Sequence, residues 1–286
     1  MAGPRTQAGG QATPRVLSIA GSDSGGGAGV QADLKAFARC GVHGMTAITA
    51  VTAQGTVGVS AIHPVPPEIV LAQVRAVLED IGVDAVKVGM LGTVGVTLAV
   101  AEALDELPDG TPVVVDPVMV AESGARLLDA DAQRALVEEI LPRATVLTPN
   151  VPEAGALVGD PRLASAAADE DAPAEELARA VLALGPRIVV LTGGHRAHAA
   201  DLFIDSGAPS SVVSIGGPRH PGGAAHGSGC THSSVLAAQL ALGRSPLQAA
   251  QTARELAGRA VAAGLRELGA GPGPVDVVDL ARMRRC

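Results

Sequence analysis

The chain has 286 residues, a formal net charge of −8 and 47% apolar residues, with no Trp, no Tyr and only Phe37 and Phe203. That length suits one large α/β domain as well as two small ones, and its core must be packed from aliphatic side chains. An acidic chain without a basic stripe or aromatic platforms excludes the usual electrostatic and stacking modes of nucleic-acid binding.

Residues 1–14 carry no apolar leader pattern and are expected to form a disordered tail. Residues 16–20 predict a short buried strand, followed by a glycine-rich loop and a helix over 28–40. Residues 45–51 predict the next strand. From 67 to 81, Val70, Val74, Val77, Leu78 and Ile81 recur at helical spacing on one face. Residues 85–88, 113–115, 145–147 and 188–191 are apolar runs of the kind found in parallel strands covered on both faces. Residues 163–173 read as a polar, Ala-rich surface loop, and Pro173 opens a helix that Gly185 closes. Residues 201–205 and 211–215 read as a hairpin, and Ser245-Pro246 starts the last helix. No apolar run has the length and purity of a membrane span. This β-α-β-α order predicts a three-layer α/β/α fold with a mostly parallel sheet, in a single domain over 15–286. Cys40, Cys230 and Cys286 are too far apart for a disulfide framework or a metal-ligand spacing, which points to a reducing cytoplasm.

The chemistry concentrates in a few loops. His226-Gly227-Ser228-Gly229-Cys230-Thr231 runs into the apolar pattern Val235, Leu236, Ala237 and Leu240. Its glycines let the backbone close on a ligand, and the helix start turns unpaired N–H groups outward, making an anion hole. The same field is expected to favour thiolate at Cys230; the other reading is a small residue that shapes a pocket. No Walker-type loop is present, and residues 21–29 (GSDSGGGAG) miss the dinucleotide register. That first loop reads either as flexible or as a point of close backbone approach to a ligand. Asp116 ends a buried strand, where open α/β sheets place ligands. Asn150 and Glu153 form a capping box, or, with Asp116, the acids there hold Mg²⁺. Gln54 is a surface amide or the reader of a ring nitrogen and an exocyclic amine. Lys87, inside an apolar strand, is expected to pair with an acid near the site. Met90 and Met119 read as core or pocket wall, and His43, His63, His198 and His220 as surface residues.

Taken in order, the runs AGSDSGGGAGVQADLK (20–35), TAVTAQ (49–54), KVGML (87–91), VDPVM (115–119), TPNVPE (148–153), GGH (193–195), HGSGCT (226–231) and GPGPVD (271–276) span most of the chain. The chain resembles, across residues 15–276, the hydroxymethylpyrimidine/phosphomethylpyrimidine kinases of thiamine biosynthesis, in the ribokinase-like superfamily. The resemblance implies a ribokinase-like fold and a homodimer. It also implies phosphorylation by ATP, with Mg²⁺, of 4-amino-5-hydroxymethyl-2-methylpyrimidine and then of its monophosphate. By matched position, Gln54 would read the pyrimidine edge, with Gly21, Asp33, Met90 and Val118 as further substrate-binding residues. Gly227, Ser228, Gly229 and Cys230 would be catalytic; Asn150, Thr192 and Gly194 would bind the nucleotide; Asp116 and Glu153 would hold the metal. Thr192 and Glu122 each stand where the family usually carries Lys. The alternatives are a pyridoxal kinase of the same fold and a non-catalytic pyrimidine- or nucleotide-binding derivative.

Overall fold

The computed structural model describes residues 12–120, 128–195 and 199–283. The expectations for tail residues 1–11, for Glu122 and for His198 lie outside that set. In chain order, β1 (Arg15–Ala20) leads through α1 (Gly29–Arg39) to β2 (His43–Ile48), and β3 (Ala50–Gly55) and β4 (Gly58–Pro64) follow. Next come α2 (Pro67–Asp80), β5 (Ala85–Val88), α3 (Val94–Asp105), β6 (Val113–Val115) and α4 (Ala130–Ala135), which runs on into a π turn. They are followed by β7 (Val146–Leu147), α5 (Val151–Val158), α6 (Pro161–Asp169), α7 (Asp171–Leu182), β8 (Ile188–Leu191), β9 (Asp201–Asp205) and β10 (Val212–Ile215). Last are α8 (Ser228–Ala241), α9 (Pro246–Ala262) and the short α10 (Leu280–Met283).

Among the described residues, eight strands form one sheet in the order β10-β9-β8-β7-β6-β5-β1-β2, and β3 and β4 pair separately. Pairing is parallel from β2 to β8 and antiparallel for β9 and β10. Val113, Val115, Val189 and Leu191 pack into the layer of α2 to α7. Their alternates Val114, Ile188 and Val190 pack under α1, α8 and α9. Both faces are therefore dry, which is why these strands read as unbroken apolar runs. The central sheet and its two helical layers match the three-layer expectation.

Two local expectations fail for physical reasons, and one helix was not expected at all. The run 45–51 is two strands, because Thr49 is anchored at the break. Its N–H donates to Ala20 O at 3.0 Å, its hydroxyl to Met90 O at 2.6 Å, and its carbonyl accepts from Val65 N. The chain then leaves the main sheet and enters the separate hairpin. Residues 163–173 are not a loop but most of α6 and the first turn of α7. Asp160 caps α6 through the N–H groups of Arg162 and Leu163, with Pro161 in the first turn. Only Ala167 of that helix is fully buried, so it shows no wide apolar stripe. α3, not anticipated, is apolar around most of its circumference and gives little amphipathic period. No helix among the described residues is long and apolar enough to cross a membrane.

Candidate active site

The C-terminal ends of β1, β5, β6, β7 and β8 open onto one cavity of about 750 Å³. They deliver Gly21, Met90, Asp116, Asn150 and Thr192 to its wall, and β3 brings Gln54. This is the edge where an open α/β sheet builds ligand sites.

The first loop is organised by Asp23. Its Oδ1 accepts from Gly25 N at 2.8 Å, and its Oδ2 accepts from Gly27 N at 3.0 Å and Ala28 N at 2.8 Å. His226 Nε2 lies 3.0 Å from the same Oδ2. Burial alone would raise the Asp23 pKa, but His226 and the Ala28 and Gly25 N–H groups outweigh it and hold the carboxyl below its usual range. The glycines of this loop serve close packing: a Cβ on Gly27 would lie 2.2 Å from His226 Cδ2.

The expected anion hole coincides with the start of α8. Gly227, at φ 79°, turns the chain into the helix, and a Cβ there would lie 1.7 Å from Gly27 O. Ser228 N donates to Ala225 O and Thr231 N to Gly227 O. The N–H groups of Gly229 and Cys230, in the first turn between them, have no acceptor within the helix.

On the β3 side, a bulge between Ala53 and Gln54 interrupts the β3–β4 ladder, and Gln54 lines the cavity. Its backbone is pinned to Ser24, whose Oγ accepts from Gln54 N at 2.8 Å and donates to Gln54 O at 2.7 Å. Gly21 lies against Met90 so closely that a Cβ would be 2.3 Å from Met90 Cε.

The floor is charged. Lys87, fully buried, donates to both oxygens of Asp33 at 3.1 Å and lies 4.0 Å from Asp116 Oδ2. Burial works against its charge, but Asp33, Cys230 and Asp116 raise its pKa further. Asp116 accepts from Ser233 Oγ at 3.0 Å, and its pKa is raised, first by burial and then against the pull of Lys87. Glu153 is pushed up to about 8 by desolvation and by Asp116, with the Asn150 N–H opposing. That N–H donates to Glu153 Oε2 at 2.9 Å while Glu153 N donates to Asn150 Oδ1 at 2.9 Å, so the capping box is present. Both residues also line the cavity, so the two readings of this pair are not exclusive.

Cys230 departs from expectation. Its thiol is pushed up to about 12 by burial, against the pull of Lys87; Asp116 and Asp33 push it the same way as burial, and a Gly29 N–H opposes them. The helix field does not produce a thiolate here, because burial disfavours the charged form and the nearby Asp116 and Asp33 add to that effect.

Beyond the floor, Gly193 N donates to Asp201 Oδ1 at 2.8 Å. Asp201 Oδ2 lies 3.3 Å from His232 Nε2, and Arg254 bonds Ala199 O and approaches Asp201 at 3.7 Å. Burial would raise Asp201, but His232 and Arg254 keep it below the usual range.

With this geometry in view, a family profile described as phosphomethylpyrimidine kinase matches residues 23–276. The chain belongs to the phosphomethylpyrimidine kinase family. The chain is 45% identical over 266 residues to the hydroxymethylpyrimidine/phosphomethylpyrimidine kinase of Rhizobium meliloti, covering 92% of this chain and 96% of that protein. The crystal structure of phosphomethylpyrimidine kinase from Clostridium difficile 630 is similar at 35% identity and a TM-score of 0.73, covering 85% of this chain and 97% of that one. Pyridoxal kinase from Staphylococcus aureus, in complex with pyridoxal, is similar at 31% identity and a TM-score of 0.82, covering 96% of each chain. As a member of this family the chain is a phosphotransferase with a ribokinase-like fold.

Within the phosphomethylpyrimidine kinase scaffold, Gln54, Gly21, Met90, Val118, Asn150, Thr192, Gly194, Asp116, Glu153 and residues 227–230 all line the one cavity. Asp33 does not. It lies beneath the floor, held by Lys87 and by the hydroxyls of Ser18 (2.6 Å) and Ser234 (2.7 Å), so it supports the site instead of touching a ligand. Lys87 has the acidic partner expected of it. His220, read as a surface residue, is half-buried and joins Arg254 and His232 on the cavity wall. His232 directly follows the 226–231 run, but no sequence spacing links His220 or Arg254 to the motif loops; Arg254 comes in because α9 packs on α8.

Proposed function

We propose that the chain transfers the terminal phosphoryl group of ATP to the hydroxymethyl group of 4-amino-5-hydroxymethyl-2-methylpyrimidine, and then to the resulting monophosphate. The observation that carries this reading is the shared cavity: a ring-sized end bearing Gln54, Gly21 and Met90 opens onto the helix N-terminus at 227–230. Phosphoryl transfer needs in-line placement and charge stabilisation more than covalent chemistry. Gln54 offers a donor and an acceptor to an aminopyrimidine edge. The Gly229 and Cys230 N–H groups stabilise charge on the transferring group. Cys230, held as a thiol, hydrogen-bonds the acceptor hydroxyl, whose proton passes late in a loose transition state to an oxygen of the transferred phosphoryl group. Asn150, Thr192 and Gly194 take the nucleotide side.

Asp116 and Glu153 are the residues that would hold Mg²⁺, which would screen the phosphate oxygens. What supports this reading is that both carboxyls line one cavity, with the buried Lys87 lying 4.0 Å from Asp116 Oδ2. The free thiols of Cys40 and Cys230 suit a cytoplasmic enzyme.

The second reading, a pyridoxal kinase, draws on the higher TM-score to the Staphylococcus aureus enzyme. One assay separates them. The purified chain with Mg-ATP is offered the pyrimidine, its monophosphate and pyridoxal, and ADP is measured for each. ADP from both pyrimidines is expected. ADP from pyridoxal alone would overturn the proposal, and none from any acceptor would point to a non-catalytic binding protein.

A further inference from the structure

His226 stands at a junction of three remote segments. Its ring meets the first loop, its carbonyl accepts from Val275 N at 3.0 Å, and its successor Gly227 opens the anion hole. The His226 side chain is nearly buried, at 10% exposure, and that of Asp23 is at 1%. Because a carboxylate only accepts, His226 Nε2 must carry the hydrogen it gives to Asp23 Oδ2. Asp23 in turn gathers the N–H groups of Gly25, Gly27 and Ala28, so the one bond fixes the whole loop. Steric contact repeats the message: Gly27 leaves room only for the imidazole, and Gly227 leaves room only for Gly27 O. Two residues before Asp23, Gly21 walls the ring end of the cavity; one residue after His226, the anion hole begins.

We propose that His226 is a positioning residue for the reaction: by holding Asp23 it locks the ring-binding loop to the anion hole, so that acceptor and phosphoryl group are placed by one rigid unit. The proposal rests on the kinase reading of this cavity. An interaction that only sets distance between two bound groups acts on turnover, not on the affinity of either group alone.

The test compares His226→Asn and His226→Ala, which cannot reach Asp23, with His226→Gln, whose amide nitrogen can stand in for Nε2. In the full chain, Asn and Ala are expected to lower kcat about a hundredfold. KM for ATP and for the pyrimidine should stay within about threefold, and Gln should recover most of the rate. Amide hydrogen exchange should quicken at residues 25–28 and 227–231 while the central strands keep their protection. Wild-type kcat in Asn or Ala, equal loss in Gln and Asn, or exchange quickened through the whole sheet would each overturn the proposal, as would failure of all three variants to fold. Wild-type ADP release from the pyrimidine tests the kinase reading separately, and the exchange pattern reads the lock without any substrate.

Discussion

Asp23 and Glu153 are both carboxyls that follow a strand of the parallel sheet and accept a backbone N–H, yet their environments pull them in opposite directions. Asp23 is closed in by three N–H groups and a histidine and sits below the usual carboxylate range. Glu153 accepts the single N–H of its capping box, faces the cavity and feels Asp116, which leaves it near 8. Desolvation by burial is the larger cause and Asp116 the second. One acid is spent on structure; the other keeps capacity for something that enters. A buried acid whose bonds are complete shapes the site, and one left short of positive charge serves it.

The comparison breaks first at Asp23. Asp23→Asn removes the charge that gathers the loop, and the chain should lose about 3 kcal/mol of unfolding free energy at neutral pH, measured by denaturant. With its pKa lowered in the folded state, the ionised Asp23 also contributes stability above its unfolded value of 3.8, which is lost as the pH falls through the folded value. A change within error would show that His226 and the glycines hold the loop unaided.

Cys230 sits between the two regions, with a Gly29 N–H on one side and the acid-bearing floor on the other. Cys230→Ala should lower turnover about a hundredfold with little change in pyrimidine binding. Cys230→Ser, which keeps a neutral hydrogen-bonding group, should stay within about tenfold of wild type. Equal loss of turnover and binding in Ala would reduce the thiol to a piece of wall. A Ser variant as slow as Ala would assign the reaction to a thiolate.

Much of the fold was legible because strands buried on both faces, such as 113–115 and 188–191, leave no polar interruption to confuse the pattern. α6 escaped because its contact with the core is made mostly by Ala, with Leu163 beside it; the signal that could have found it is Asp160-Pro161, a cap followed by proline. The motif loops of the site were legible as strand-end or helix-start chemistry. Asp33 was misassigned because its neighbours Ser18, Lys87 and Ser234 come from distant segments, and only folding shows that it points below the floor. The same holds for the His226–Asp23 pair, which joins residues 203 apart.

The smallest expected effect is also the most direct test of the contrast. The chain, with chelator and without nucleotide, is unfolded by denaturant at pH 6 and pH 8 as wild type and as Glu153→Gln. A carboxyl raised from 4.5 to about 8 in the folded state penalises folding increasingly across that interval, because the unfolded state ionises first. Wild type should therefore be less stable at pH 8 by about 2 kcal/mol on this account. Glu153→Gln should lose most of that fall and exceed wild type at pH 8. An equal fall in both proteins would contradict the claim that Glu153 is the acid left short of charge.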